Sequence, residues 1–104
     1  MNNNFGIYEK SYSLIIRSFR EYPKIEKVYI FGSRAMGNYK PGSDIDIAIF
    51  GEEIDFEITS SLFRKLNEDI LTPYFIDVVN FNTIEVEELK THILNEGIVV
   101  YERK

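Results

Sequence analysis

Apolar residues recur along this chain in two rhythms, and the places where the rhythm changes mark its elements. Between residues 8 and 22, Tyr8, Tyr12, Ile15, Ile16, Phe19 and Tyr22 fall at helical spacing, with Glu9, Lys10, Arg17 and Arg20 largely on the other side. An amphipathic helix with a core-facing aromatic stripe is predicted there, and Pro23 lies beyond its end. Val28, Tyr29, Ile30 and Phe31 then form a short β-branched and aromatic run bounded by turn formers, the mark of a strand. Gly37, Pro41 and Gly42 break up the next stretch into a loop, with Ala35-Met36 as a short helical piece. A second strand follows to Phe50 and carries Asp44 and Asp46. Asp55 is placed to cap a helix reaching about Leu71, with Ile58, Leu62, Phe63, Leu66 and Ile70 as its buried stripe and Thr72-Pro73 as its stop. Residues 74–81 read as a third strand interrupted by Asp77. Asn82 and Glu85 have the spacing of a capping box for a last helix whose apolar face is Ile84, Val86, Leu89, Ile93 and Leu94, ended by Gly97. Residues 98–101 form a short final strand or an extended tail.

That order of elements predicts an α/β (α+β) fold, a small mixed β-sheet with helices packed on it, in one domain over residues 1–104. A chain of 104 residues buries roughly two-thirds of its unfolded surface. Its 44% hydrophobic and 14% aromatic content supplies a core and argues against disorder. The lack of cysteine excludes disulfides, zinc–thiolate centres and thiol nucleophiles. A net charge of −5 argues against a basic face gripping nucleic acid by counterion release, while a free nucleotide bound with its cation remains compatible. The first ten residues lack the basic start and apolar stretch of a signal peptide, and no apolar run has the length of a membrane span. A cytoplasmic protein is the expectation.

The chemistry concentrates between residues 28 and 50. In a strand, positions i and i+2 share a face about 7 Å apart, so Asp44 and Asp46 project together. Two neighbouring carboxylates repel each other, and a divalent cation relieves that repulsion; all-oxygen donors of this kind suit Mg²⁺. Gly32 permits close backbone approach, and Ser33 can open a short helix whose N–H groups attract phosphate. Asp77 interrupts an apolar strand, which fits either a third ligand or a solvent-facing acid on an edge strand. For Arg34 and Lys40, phosphate contact and solvated loop charge are both open, and Tyr39 suits either base stacking or partial packing. Arg64 and Lys65 read as surface charges, and His92 as a solvated helix residue.

Gly32-Ser33, ten intervening residues and Asp44-Ile45-Asp46 resemble the signature of nucleotidyltransferases related to DNA polymerase β, and more narrowly the minimal nucleotidyltransferase (MNT) family. The match extends to Arg34-Ala35, Gly37, Pro41-Gly42-Ser43 and Ile47-Ala48-Ile49, and the resemblance covers nearly the whole chain. It implies the polymerase β-like fold, with Asp44, Asp46 and Asp77 as catalytic metal ligands and Gly32, Ser33 and Arg34 on the nucleotide. It further implies two Mg²⁺ ions, ATP as substrate and a HEPN-domain toxin as partner. The family's intact members are antitoxins that transfer AMP to a tyrosine of that partner. Polymerases and antibiotic-modifying relatives carry a second domain that helps hold the acceptor; none fits here, so a hetero-oligomer that supplies the acceptor is expected. Two other functional readings stand beside this one: a non-catalytic antitoxin that covers its partner sterically, and transfer to a small molecule or an RNA end.

Overall fold

A computed structural model describes residues 3–103. Helix α1 (Glu9–Phe19) leads into strand β1 (Lys27–Phe31), the four-residue helix α2 (Ser33–Met36) and strand β2 (Ile45–Phe50). Helix α3 (Phe56–Arg64) runs on into a π-helical turn (Lys65–Asp69), followed by β3 (Ile76–Asn80), a 3₁₀ turn (Phe81–Thr83), α4 (Glu87–Glu96) and β4 (Ile98–Glu102). The strands form one mixed sheet in the order β3-β2-β1-β4. β1 lies antiparallel to both β2 and β4, whereas β2 and β3 are parallel, as two strands joined by a helical crossover can be.

The two-residue alternation of the strands sorts their side chains onto two faces. Val28 and Ile30, Ile45, Ile47 and Ile49, and Ile76 and Val78 pack with Ile15 and Phe19 of α1 and Leu62 of α3 in the main core. The opposite face holds a smaller cluster of Phe31, Ala48 and Ile93, flanked by Tyr29, Phe50, Val79 and Leu89. Helices α1 and α3 therefore cover one face, and α4 covers part of the other. Ile45, Ile47 and Ile49 are fully buried, and each buried side chain of this size contributes about 1.5–3 kcal/mol. The central strand β2 is thus the most firmly held, and it carries Asp46.

Several predicted boundaries shift for identifiable reasons. α1 ends at Phe19, and single-turn bonds from Glu21 N–H to Ser18 O and from Tyr22 N–H to Phe19 O carry the chain to Pro23. The capping box at Asn82 and Glu85 does not form. The Asn82 amide is bound to Gly51 O (2.8 Å), and the Asn80 side chain caps the 3₁₀ turn instead, so α4 starts four residues later than that spacing suggested, at Glu87. Val86 and Leu94, read as part of the apolar face, are exposed. Residues 98–101 lie in a true strand, paired along β1. Among the described residues, no helix is long and apolar enough to cross a membrane.

Candidate active site

Three strands contribute one row across the sheet: Phe31 pairs with Asp46, and Asp46 pairs with Asp77. Residues paired across neighbouring strands point to the same face, so Asp46 and Asp77 stand side by side on the face that carries α4. Asp44 immediately precedes β2, two residues before Asp46. Asp44 and Asp77 are exposed and Asp46 is half-buried. Burial, reinforced by the negative charges of Asp77 and then Asp44, pushes the Asp46 carboxyl above the ordinary carboxylate range. The site therefore gathers three acids at a cost to the most buried of them.

Gly32 joins this row from the end of β1. Its φ of 76° is left-handed, and a Cβ there would lie 2.6 Å from Asp46 Oδ2. Only glycine satisfies both the turn and the close approach of the carboxylate. Ser33, partly exposed, opens α2 directly beyond it. Gly37, at φ 84°, closes that helix with its N–H on Ser33 O (3.0 Å).

Arg34 is not a solvated loop charge. It is only 2% exposed, and its guanidinium donates to Ser43 O through Nε (3.1 Å) and Nη2 (2.8 Å), and to Phe5 O and Gly6 O through Nη1 (2.8 and 3.2 Å). The rings of Tyr39 and Tyr74 lie on the cation, with centroids 5.1 and 5.0 Å away. Carbonyl dipoles and aromatic faces offset the desolvation of a charge that forms no ion pair with a carboxylate among the described residues. The guanidinium is thus committed to the fold through carbonyls on both sides. It binds the N-terminal segment, the loop ahead of Asp44 and the loop ahead of β3 into one unit. Tyr39 is accordingly a packing residue: it stacks on Arg34, and a Cβ at Gly6 would run into its ring.

Two further residues near the row escaped sequence reasoning. His92 is half-buried rather than solvated, edge-on to the ring of Phe31 at 6.2 Å between centroids. Asn67, in the π-helical turn, accepts from Ile76 N–H (2.9 Å) and donates to Ile76 O (2.8 Å), directly before Asp77. A polar, weak helix former inside a predicted helix was the only signal for it.

The donor set fits a hard divalent cation: every candidate ligand is a carboxylate oxygen, and the mutual repulsion that raises Asp46 is what a cation would relieve. Among the described residues, no three acid, His or Cys side chains close into an all-protein metal cage. A cavity of about 580 Å³ opens beyond the other end of β3, lined by Phe56, Val79, Asn80 and Val86 without the three acids. Its two carboxylates are Asp55, which caps α3 by accepting from Ile58 N–H, and Glu85, with no third acid beside them.

Comparison with known proteins shows the family of the chain. A protein of Methanocaldococcus jannaschii provisionally named a protein adenylyltransferase is 38% identical over 87 residues, covering 75% of this chain and 80% of that protein. Another from Haemophilus influenzae, provisionally named protein adenylyltransferase MntA, is 33% identical over 78 residues, covering 74% of this chain and 67% of that protein. A solved toxin–antitoxin crystal structure with AMP-PNP superposes with a TM-score of 0.73 at 25% identity, over 89% of this chain and 74% of that one. The family described as Polymerase beta, Nucleotidyltransferase matches residues 14–104. The chain thus belongs to the polymerase β nucleotidyltransferase family.

Proposed function

We propose that this chain is an antitoxin that transfers AMP from ATP to a tyrosine hydroxyl of a HEPN-domain toxin. The observation that carries this reading is the cross-strand pair Asp46–Asp77, with Asp44 two residues upstream and Gly32 against the Asp46 carboxylate. The names of the two relatives and the toxin–antitoxin neighbour support the acceptor being a protein, and AMP-PNP in that neighbour supports an adenine nucleotide.

In this reading Asp44, Asp46 and Asp77 would be the carboxylates that hold Mg²⁺. When bound, Mg²⁺ neutralises charge on the triphosphate and on the departing group and makes the acceptor hydroxyl more acidic. Gly32 and Ser33 position the β- and γ-phosphates with backbone and hydroxyl donors, which a side chain at position 32 would block. The tyrosine oxygen forms a bond to the α-phosphorus as the bond to the β-phosphate oxygen breaks. Pyrophosphate leaves, and the phenolic proton passes to Asp77. Arg34 does not touch the nucleotide; it holds Ser43, the residue before Asp44.

Cells that express the toxin beside wild type or the Asp44→Ala/Asp46→Ala double variant test this reading. Protection by wild type and loss of protection by a folded double variant are expected. Full protection by the double variant would make catalysis dispensable and turn the protein into a steric antitoxin.

A further inference from the structure

β3 is an edge strand, and edge strands are usually the loosest part of a sheet. Asp77 nevertheless belongs to a row that needs a fixed position. On the inner side, Ile45 N–H donates to Phe75 O (2.9 Å), so the pairing with β2 uses the odd-numbered groups of the strand. By the alternation of a parallel ladder, Ile76 turns its N–H and C=O to the outer edge. Among the described residues no strand lies there. Both groups are met by the Asn67 amide, which accepts the N–H through Oδ1 and donates to the C=O through Nδ2.

One amide thus imitates a missing neighbouring strand at a single residue, the one before Asp77. The orientation is unambiguous, since a flipped amide would set donor against donor and acceptor against acceptor. Asn67 Nδ2 also reaches Phe63 O (2.9 Å), which ties the clamp back to α3. The extra residue of the π turn, Lys65–Asp69, changes the helical phase where Asn67 has to face the strand. Leu66, fully buried beside it, anchors the turn in the main core.

We propose that Asn67 is a positioning residue that holds Asp77 in register for its metal. The inference rests on the transfer reaction proposed above. It assigns Asn67 no contact with substrate; the residue acts through Ile76 and leaves the paired acids of β2 untouched.

The test measures Mn²⁺ binding in place of Mg²⁺, by calorimetry in the presence of AMP-PNP, for wild type, Asn67→Leu, Asp77→Asn and the double variant. Asn67→Leu, close in size but without hydrogen bonds, is expected to weaken Mn²⁺ binding about tenfold. It is expected to have no further effect once Asp77 is Asn. Equal weakening in both backgrounds, or unchanged binding in the single variant, overturns the proposal while leaving the transfer reading intact. Wild type that neither binds Mn²⁺ nor transfers AMP overturns both. Should Asn67→Leu fail to fold, amide hydrogen exchange of wild type decides: the clamp requires the Ile76 N–H to be protected at the bare edge, and exchange at the rate of an open amide refutes it.

Discussion

The two halves of the site are held in opposite ways. Asp46 sits on β2, between β1 and β3, and Asp44 immediately precedes that strand, at the end of a loop tied down by a buried arginine. Asp77 stands on the edge strand, where one asparagine replaces a neighbour. The first half is fixed by the core and by many partners at once. The second is fixed by pairing on one side and a single amide on the other. A row of acids can thus be placed partly by deep packing and partly by local contact, and the edge-strand acid is where geometry is easiest to lose.

The sharpest way to break this contrast is to replace the central acids. If the proposed roles hold, Asp44→Asn or Asp46→Asn should lower the rate of transfer about a thousandfold, measured as AMP incorporation into the toxin, because a carboxylate proposed to hold Mg²⁺ is removed. Asp77→Asn should cost about a hundredfold in the same assay. A Asp77 variant with wild-type rates would reduce the edge strand to a bystander and return Asp77 to a solvent-facing acid.

Arg34 tests the loop half through stability. Arg34→Met keeps the length but strands the carbonyls of Ser43 and Phe5, at a cost of about 3 kcal/mol, or a melting temperature lower by more than about 10 °C in a domain of this size. Arg34→Lys should recover only a small part of the loss, since an ammonium cannot reproduce the planar fork between Tyr39 and Tyr74. Were Arg34 instead a phosphate ligand, Met would weaken nucleotide binding without lowering the melting temperature.

The smallest effect concerns Asp46 without metal. Its carboxyl is raised above the usual 3.8, chiefly by burial, so the folded state holds its proton more tightly than the unfolded chain does. Stability from this group is therefore complete below the usual carboxylate value and is lost as pH rises through the raised folded value. At neutral pH, Asp46→Asn should melt slightly above wild type, and the gap should close as pH falls below 4 or when Mg²⁺ is added to wild type. A lower melting temperature at neutral pH would mean that the carboxylate stabilises the apo fold.

Legibility in the sequence followed the same division. Gly32, Ser33, Asp44 and Asp46 lie within one short stretch whose spacing fixes their relation, so local pattern sufficed to bring them together. The strands and helices were also legible, because each carries its own apolar period. Asp77 could be nominated only as an acid in an apolar run; that it stands beside Asp46 depends on the parallel register of β3, which no local signal encodes. The structural role of Arg34 was hidden because its partners are backbone carbonyls at Phe5, Gly6 and Ser43, groups that every sequence has and none advertises. The capping box failed for a related reason, since Asn82 found a tertiary partner in Gly51.

The most direct test is intact-mass spectrometry of the HEPN-domain toxin after incubation with this protein, ATP and Mg²⁺, beside the Asp44→Ala/Asp46→Ala variant. The account predicts a mass gain of one or more AMP units with wild type and none with the variant. A stable complex whose partner gains no mass with any nucleotide would contradict it.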